Sequence, residues 1–111
     1  MRTLSCLLLA FAATSATANP AHNQFAAMSD AQRAAAMTGF FKASNVKCGQ
    51  VTRTFYQGST KDKKAIWNVA CSNGSAWIFM IYPDAEGSTS VLDCKLAKAL
   101  NAGECFKPFA K

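Results

Sequence analysis

The sequence predicts an α+β domain: an N-terminal helix packed on a three- to four-stranded antiparallel meander sheet, then a short C-terminal helix, with two disulfides. Three observations carry that expectation. Residues 65–82, AIWNVACSNGSAWIFMIY, form two runs rich in β-branched and aromatic residues around Ser72-Asn73-Gly74-Ser75. Ser29-Asp30-Ala31-Gln32 precedes an apolar pattern of helical period. Four cysteines, Cys48, Cys71, Cys94 and Cys105, follow a leader-like start.

That start is read first. Met1-Arg2 is followed by an apolar run and by Ala16-Thr17-Ala18, the layout of a signal peptide over residues 1–18. The run is too short to span a bilayer. Cleavage after Ala18 removes Cys6 and leaves one domain whose core needs stapling. An even number of cysteines in a short exported chain reads as disulfides. No pair shows C-x-x-C spacing, which disfavours a zinc site and a thioredoxin-like role. No metal and no cofactor is expected.

Residues 19–28 carry no periodic signal and read as a flexible lead-in, so the lone His22 there is taken as incidental. The domain proper is expected over residues 29–111. Ser29 and Gln32 make a capping box, and a helix is expected over residues 30–43. Ala34, Met37 and Phe41, with Phe40 beside them, give its apolar face, while Asp30 and Lys42 complement the helix dipole. Gly39 costs about 1 kcal/mol in such a helix, which suggests close packing on the sheet.

Residues 48–56 alternate as a first strand, followed by a polar turn over residues 57–63. A hairpin centred between Ser59 and Thr60 sets Cys48 opposite Cys71, within disulfide reach. Four cysteines allow three pairings; this register favours Cys48–Cys71 and leaves Cys94–Cys105.

Asn73-Gly74 suits a two-residue hairpin turn because both positions tolerate positive φ. The register that follows pairs Cys71 with Ala76, Val69 with Ile78 and Trp67 with Met80. The strand over residues 75–82 is apolar on both faces, with Trp77, Phe79 and Ile81 on one and Ala76, Ile78 and Met80 on the other. It is therefore covered twice, or covered once with a surface left for a partner. An exposed patch including Trp67, Met80 or Tyr82 is the first candidate binding surface.

A turn over residues 83–88 leads to a short strand, 89–92. Asp93 then caps a helix over residues 94–100, with Leu96, Ala97 and Leu100 inward and Lys95 and Lys98 outward. Asn101-Ala102-Gly103 stops it, and Phe106 and Phe109 anchor the tail.

The chain carries +6, or +5 without Arg2, eleven basic against six acidic side chains. Arg53, Lys61, Lys63 and Lys64, with Phe55, Tyr56 and Trp67 near them in sequence, form a second candidate: a basic-aromatic surface for an anionic polymer or lipid head group. Export makes nucleic acid an unexpected partner. Catalysis needs a positioned base or converging carboxylates. His22 lies in the lead-in, and Asp84, Glu86, Asp93 and Glu104 fall in turns, a cap and the tail, so no catalytic residue is assigned. The expected role is a non-catalytic interaction module whose partner is a protein or a cell-envelope component.

From the first strand to the tail, the chain resembles small, largely uncharacterised exported proteins of proteobacteria. The likeness rests on WNVAC at residues 67–71, PDAEGSTSVLDC at residues 83–94 and Cys105-Phe106. It implies a periplasmic or secreted domain with paired cysteines, and transfers no activity and no site residue.

Overall fold

The computed structural model describes residues 19–109; the expected signal peptide lies outside them. In chain order the elements are α1 (Pro20–Ala26), α2 (Asp30–Ala43), β1 (Val51–Ser59), β2 (Ala65–Cys71), β3 (Ala76–Ile81), β4 (Thr89–Asp93) and α3 (Cys94–Ala99). The strands form one antiparallel meander in the order β1-β2-β3-β4.

The lead-in requires a correction, because residues 20–26 are helical. Asn19 caps α1 by accepting from the His22 N–H, and Pro20 occupies the first turn, where its missing N–H costs nothing. A seven-residue helix does not persist alone. Its hold is tertiary: Phe25 is buried edge-on against Trp67, with ring centroids 4.9 Å apart. The buried Asn19 amide donates to the carbonyls of Lys63 and Ile81.

The capping box of α2 is present in both directions. Met37 and Phe41 are buried, and Phe40 and Phe41 meet Phe79 edge-on at 4.9 and 5.3 Å. Thr38 ties helix to sheet, since its hydroxyl donates to the Ala34 carbonyl and accepts from the Val51 N–H. Asn45, at φ 60°, ends the helix in a Schellman turn, with the Val46 N–H returning to the Phe41 carbonyl. Gly39 is exposed, and a Cβ added there would meet nothing within 4 Å, so close packing is not its reason.

The β2–β3 register differs by one residue from the expected one. The Gly74 N–H bonds to the Cys71 carbonyl and the Cys71 N–H to the Ser75 carbonyl, with Gly74 at φ 90°. This is a three-residue loop, a type I turn closed by a glycine bulge, rather than a two-residue turn. Trp67 therefore pairs with Phe79, Val69 with Trp77 and Ile66 with Met80. A slip of one residue exchanges the faces. Trp67 lies on the α1/α2 side and is only 4% exposed, which removes it from the expected open patch.

Both disulfides form as expected, Cys48–Cys71 and Cys94–Cys105. The first closes from the segment ahead of β1, which begins at Val51 rather than Cys48. The β1–β2 turn centres on Asp62, with Ser59 opposite Ala65, rather than between Ser59 and Thr60. Irregularities between Val51 and Arg53 and between Tyr56 and Gly58 shift the register further, so that Val51 and not Cys48 faces Cys71.

The sheet thus has two unequal faces. On the first, α1 and α2 close a core of Phe25, Met37, Phe41, Trp67, Val69 and Phe79. On the second, Ile66, Ile78 and Ala97 make a small cluster flanked by Met80, Leu92 and the Cys94–Cys105 bridge. Of the three residues expected inward here, Ala97 alone is buried; Leu96 and the C-cap Leu100 are 48% and 64% exposed. A six-residue helix pinned by a disulfide seats one small side chain and turns the rest outward. No helix among the described residues is long and apolar enough to cross a membrane. Two disulfides place the fold in an oxidising environment.

Candidate functional site

The second face is built around a polar mount that the sequence reading missed. Asn68 is fully buried in the middle of β2, where its neighbours are apolar. Its Nδ2 donates to Gln57 Oε1 at 3.1 Å, and its Oδ1 accepts from the Phe106 N–H at 2.7 Å. Gln57 Nε2 donates to the carbonyls of Glu104 and Lys107 at 2.7 and 2.9 Å. The Phe109 N–H returns to the Gln57 carbonyl at 3.2 Å. The two amides therefore fasten the tail across the sheet, and among the described residues no buried side-chain nitrogen or oxygen is left unpaired. The available signal was the asparagine itself, a polar residue in the apolar run WNVAC.

Among the described residues the tail covers part of the face. Beside it lies a pocket of about 270 Å³, with Ile66, Ile78, Met80 and Leu92 from the sheet and Phe109 from the tail among its lining. The Phe109 ring rests on Gly58, where an added Cβ would come within 2.6 Å of it. Gly58 is also at φ 143°, so both sterics and backbone require glycine there. Thr60 and Ser90 add hydroxyls to the lining. Thr60 also opens the turn that carries Lys61, Lys63 and Lys64.

The structure gathers some of the expected surface residues and separates others. Met80 and Tyr82 are half-buried and follow one another on the second face. Lys64 Nζ lies 5.3 Å from the Tyr82 ring centroid and 3.3 Å from Asp62. Hydrogen bonds from Thr60 and Lys64 hold the exposed Asp62 carboxyl below its usual range. Lys61 and Lys63 are exposed in the same turn. Arg53 lies at the other end of β1, about 20 Å away along the strand. There its guanidinium covers the Phe106 ring at 4.4 Å and the Phe55 ring at 5.8 Å. The basic-aromatic candidate is thus two places, and Trp67 belongs to neither.

His22 is not incidental. The Trp67 indole N–H donates to its Nδ1, and its ring lies 4.8 Å from that of Tyr56. Arg33 spans the Trp67 ring at 5.1 Å, bonds to the carbonyls of Ala26 and Met28, and pairs with Asp30. Burial lowers the His22 pKa, which keeps the ring neutral and able to accept. The cluster holds α1 on the sheet. Asp84 is engaged within its own turn, where hydrogen bonding from Ser88 holds its carboxyl low. Among the described residues no three His, Cys, Asp or Glu side chains converge as a metal site.

Comparison with protein-family models, curated proteins and solved structures finds no match to the chain.

Proposed function

We propose that this protein is an exported, non-catalytic accessory module that binds a protein or envelope component through the second face, around Met80 and Tyr82. The observation that carries this reading is the unequal cover of the sheet among the described residues: a packed first face, and a second face that carries an apolar pocket walled on one side by Phe109. A small domain leaves apolar concavity open at the cost of stability, and such surfaces are characteristic of binding sites. Paired cysteines, the leader pattern of residues 1–18 and the resemblance to small exported proteobacterial proteins support a periplasmic or secreted location.

The test is capture from envelope extract by the oxidised protein, at low and high salt, beside a Met80→Glu variant. A component retained at high salt and lost with Met80→Glu supports apolar recognition through this face. Equal capture by both proteins overturns it. Capture that disappears at high salt assigns recognition to Lys61, Lys63 and Lys64 and to an anionic polymer instead.

A further inference from the structure

We infer that the pocket takes the single apolar chain of an anionic amphiphile, with the acidic head held outside by the lysine turn. This rests on the reading of the second face as the binding surface, and names its ligand. The pocket offers little to a polar ligand. Both Gln57 amide atoms are committed, Nε2 to two tail carbonyls and Oε1 to Asn68. The Thr60 hydroxyl donates to Asp62 and accepts from the Lys64 N–H. What remains is the Ser90 hydroxyl and the apolar surface of Ile66, Ile78, Met80, Leu92 and Phe109.

Size narrows the class. At about 270 Å³ the pocket lies just below the span of about 300–1,000 Å³ usual for small-molecule sites. One chain fits that space better than a two-chain lipid or a fused ring system.

Charge sets the head. The turn from Thr60 carries Lys61, Lys63 and Lys64 against the single carboxylate of Asp62, which is already paired with Lys64. Lys61 and Lys63 have no carboxylate partner among the described residues. On the tail side, Lys98 and Lys107 share Glu104 at 3.8 and 3.3 Å. Each flank therefore carries net positive charge, which attracts an acidic head and repels a cationic one.

The experiment titrates the full oxidised chain, labelled at its methionine methyls, with dodecanoate and with dodecyltrimethylammonium, both below micelle formation. The Met80 methyl resonance should move, while those of Met28 and Met37, which belong to the first-face core, should not. Dodecanoate should bind about tenfold more tightly than the cationic probe. That ratio should fall on adding salt and in the Lys61→Gln/Lys63→Gln variant. Equal affinity for the two probes, or a Met80 methyl that stays in place, overturns the proposal. Envelope capture that depends on Met80 without dodecanoate binding overturns the amphiphile and spares the binding face. Dodecanoate binding at Met80 with Met80-independent capture supports the pocket's ligand while sinking the broader reading.

Discussion

The indole N–H of Trp67 donates to Nδ1 of His22 across 3.1 Å, joining the middle of β2 to the first turn of α1. Protonating Nδ1 would set two donors face to face. The groups that face this ring add no anion: Tyr56 from β1, the Trp67 ring from β2, and the Arg33 guanidinium over that indole from α2. The loop packed on α1 through Gly87 and Ala21 carries Asp84 and Glu86, and Asp84 accepts from its own turn.

Stability should therefore fall with pH in a window set by His22. Burial depresses the folded pKa below 6.5, so the unfolded chain takes the proton first. The contribution is whole above the ordinary value and is lost as pH falls through the folded one. Urea midpoints between about pH 7.5 and about pH 5 should show this loss in the wild type and less of it in His22→Gln. Asp62 and Asp84, also depressed, act in a lower window, below their ordinary 3.8.

Asn68→Leu should cost about 2–4 kcal/mol. The substitution leaves Gln57 Oε1 and the Phe106 N–H without their partner under the tail. Denaturant unfolding measures the cost. Faster amide exchange at Phe106 and Phe109 than in the wild type should accompany it.

Gly39→Ala should stabilise the domain by about 0.5–1 kcal/mol. The position is a helical, exposed one with open space where the methyl would go. A thermal scan reads the gain, and no change in near-ultraviolet dichroism is expected.

The two disulfides should open in order. Cys94 and Cys105 are half-buried, whereas Cys48 and Cys71 are 2% and 6% exposed. Mild reductant without denaturant should open Cys94–Cys105 first, as alkylation and mass spectrometry will report. Replacing that pair with serines should cost about 3 kcal/mol by the chain-entropy account and should release the pocket wall.

The helix Asp30–Ala43 was legible because its cap and its apolar period lie in adjacent residues. The pairing of cysteines was legible too, although the β1–β2 turn centres on Asp62 rather than between Ser59 and Thr60, so the register used to argue it does not hold. The side of Trp67 was not legible. Asn73-Gly74 is compatible with loops of two or three residues, and the choice between them reverses a face. α1 was missed because seven residues give too few turns for a period, though Asn19 followed by Pro20 is a start signal. Gln57 and Asn68 were out of reach for another reason: besides each other, their partners are main-chain atoms as many as 50 residues away.

That last property has a consequence for how the surface can change. The tail is gripped through carbonyls of Glu104 and Lys107 and the N–H of Phe106, atoms that every residue type except proline, at the N–H, supplies equally. The side chains of Glu104 and Lys107 are thereby uncoupled from these bonds, while Cys105, Phe106 and Phe109 also hold the tail through their side chains. Mutation at positions 104 and 107 can reshape the charge beside the face while these main-chain bonds stay the same, so what the face selects can drift without loss of the tail's anchorage.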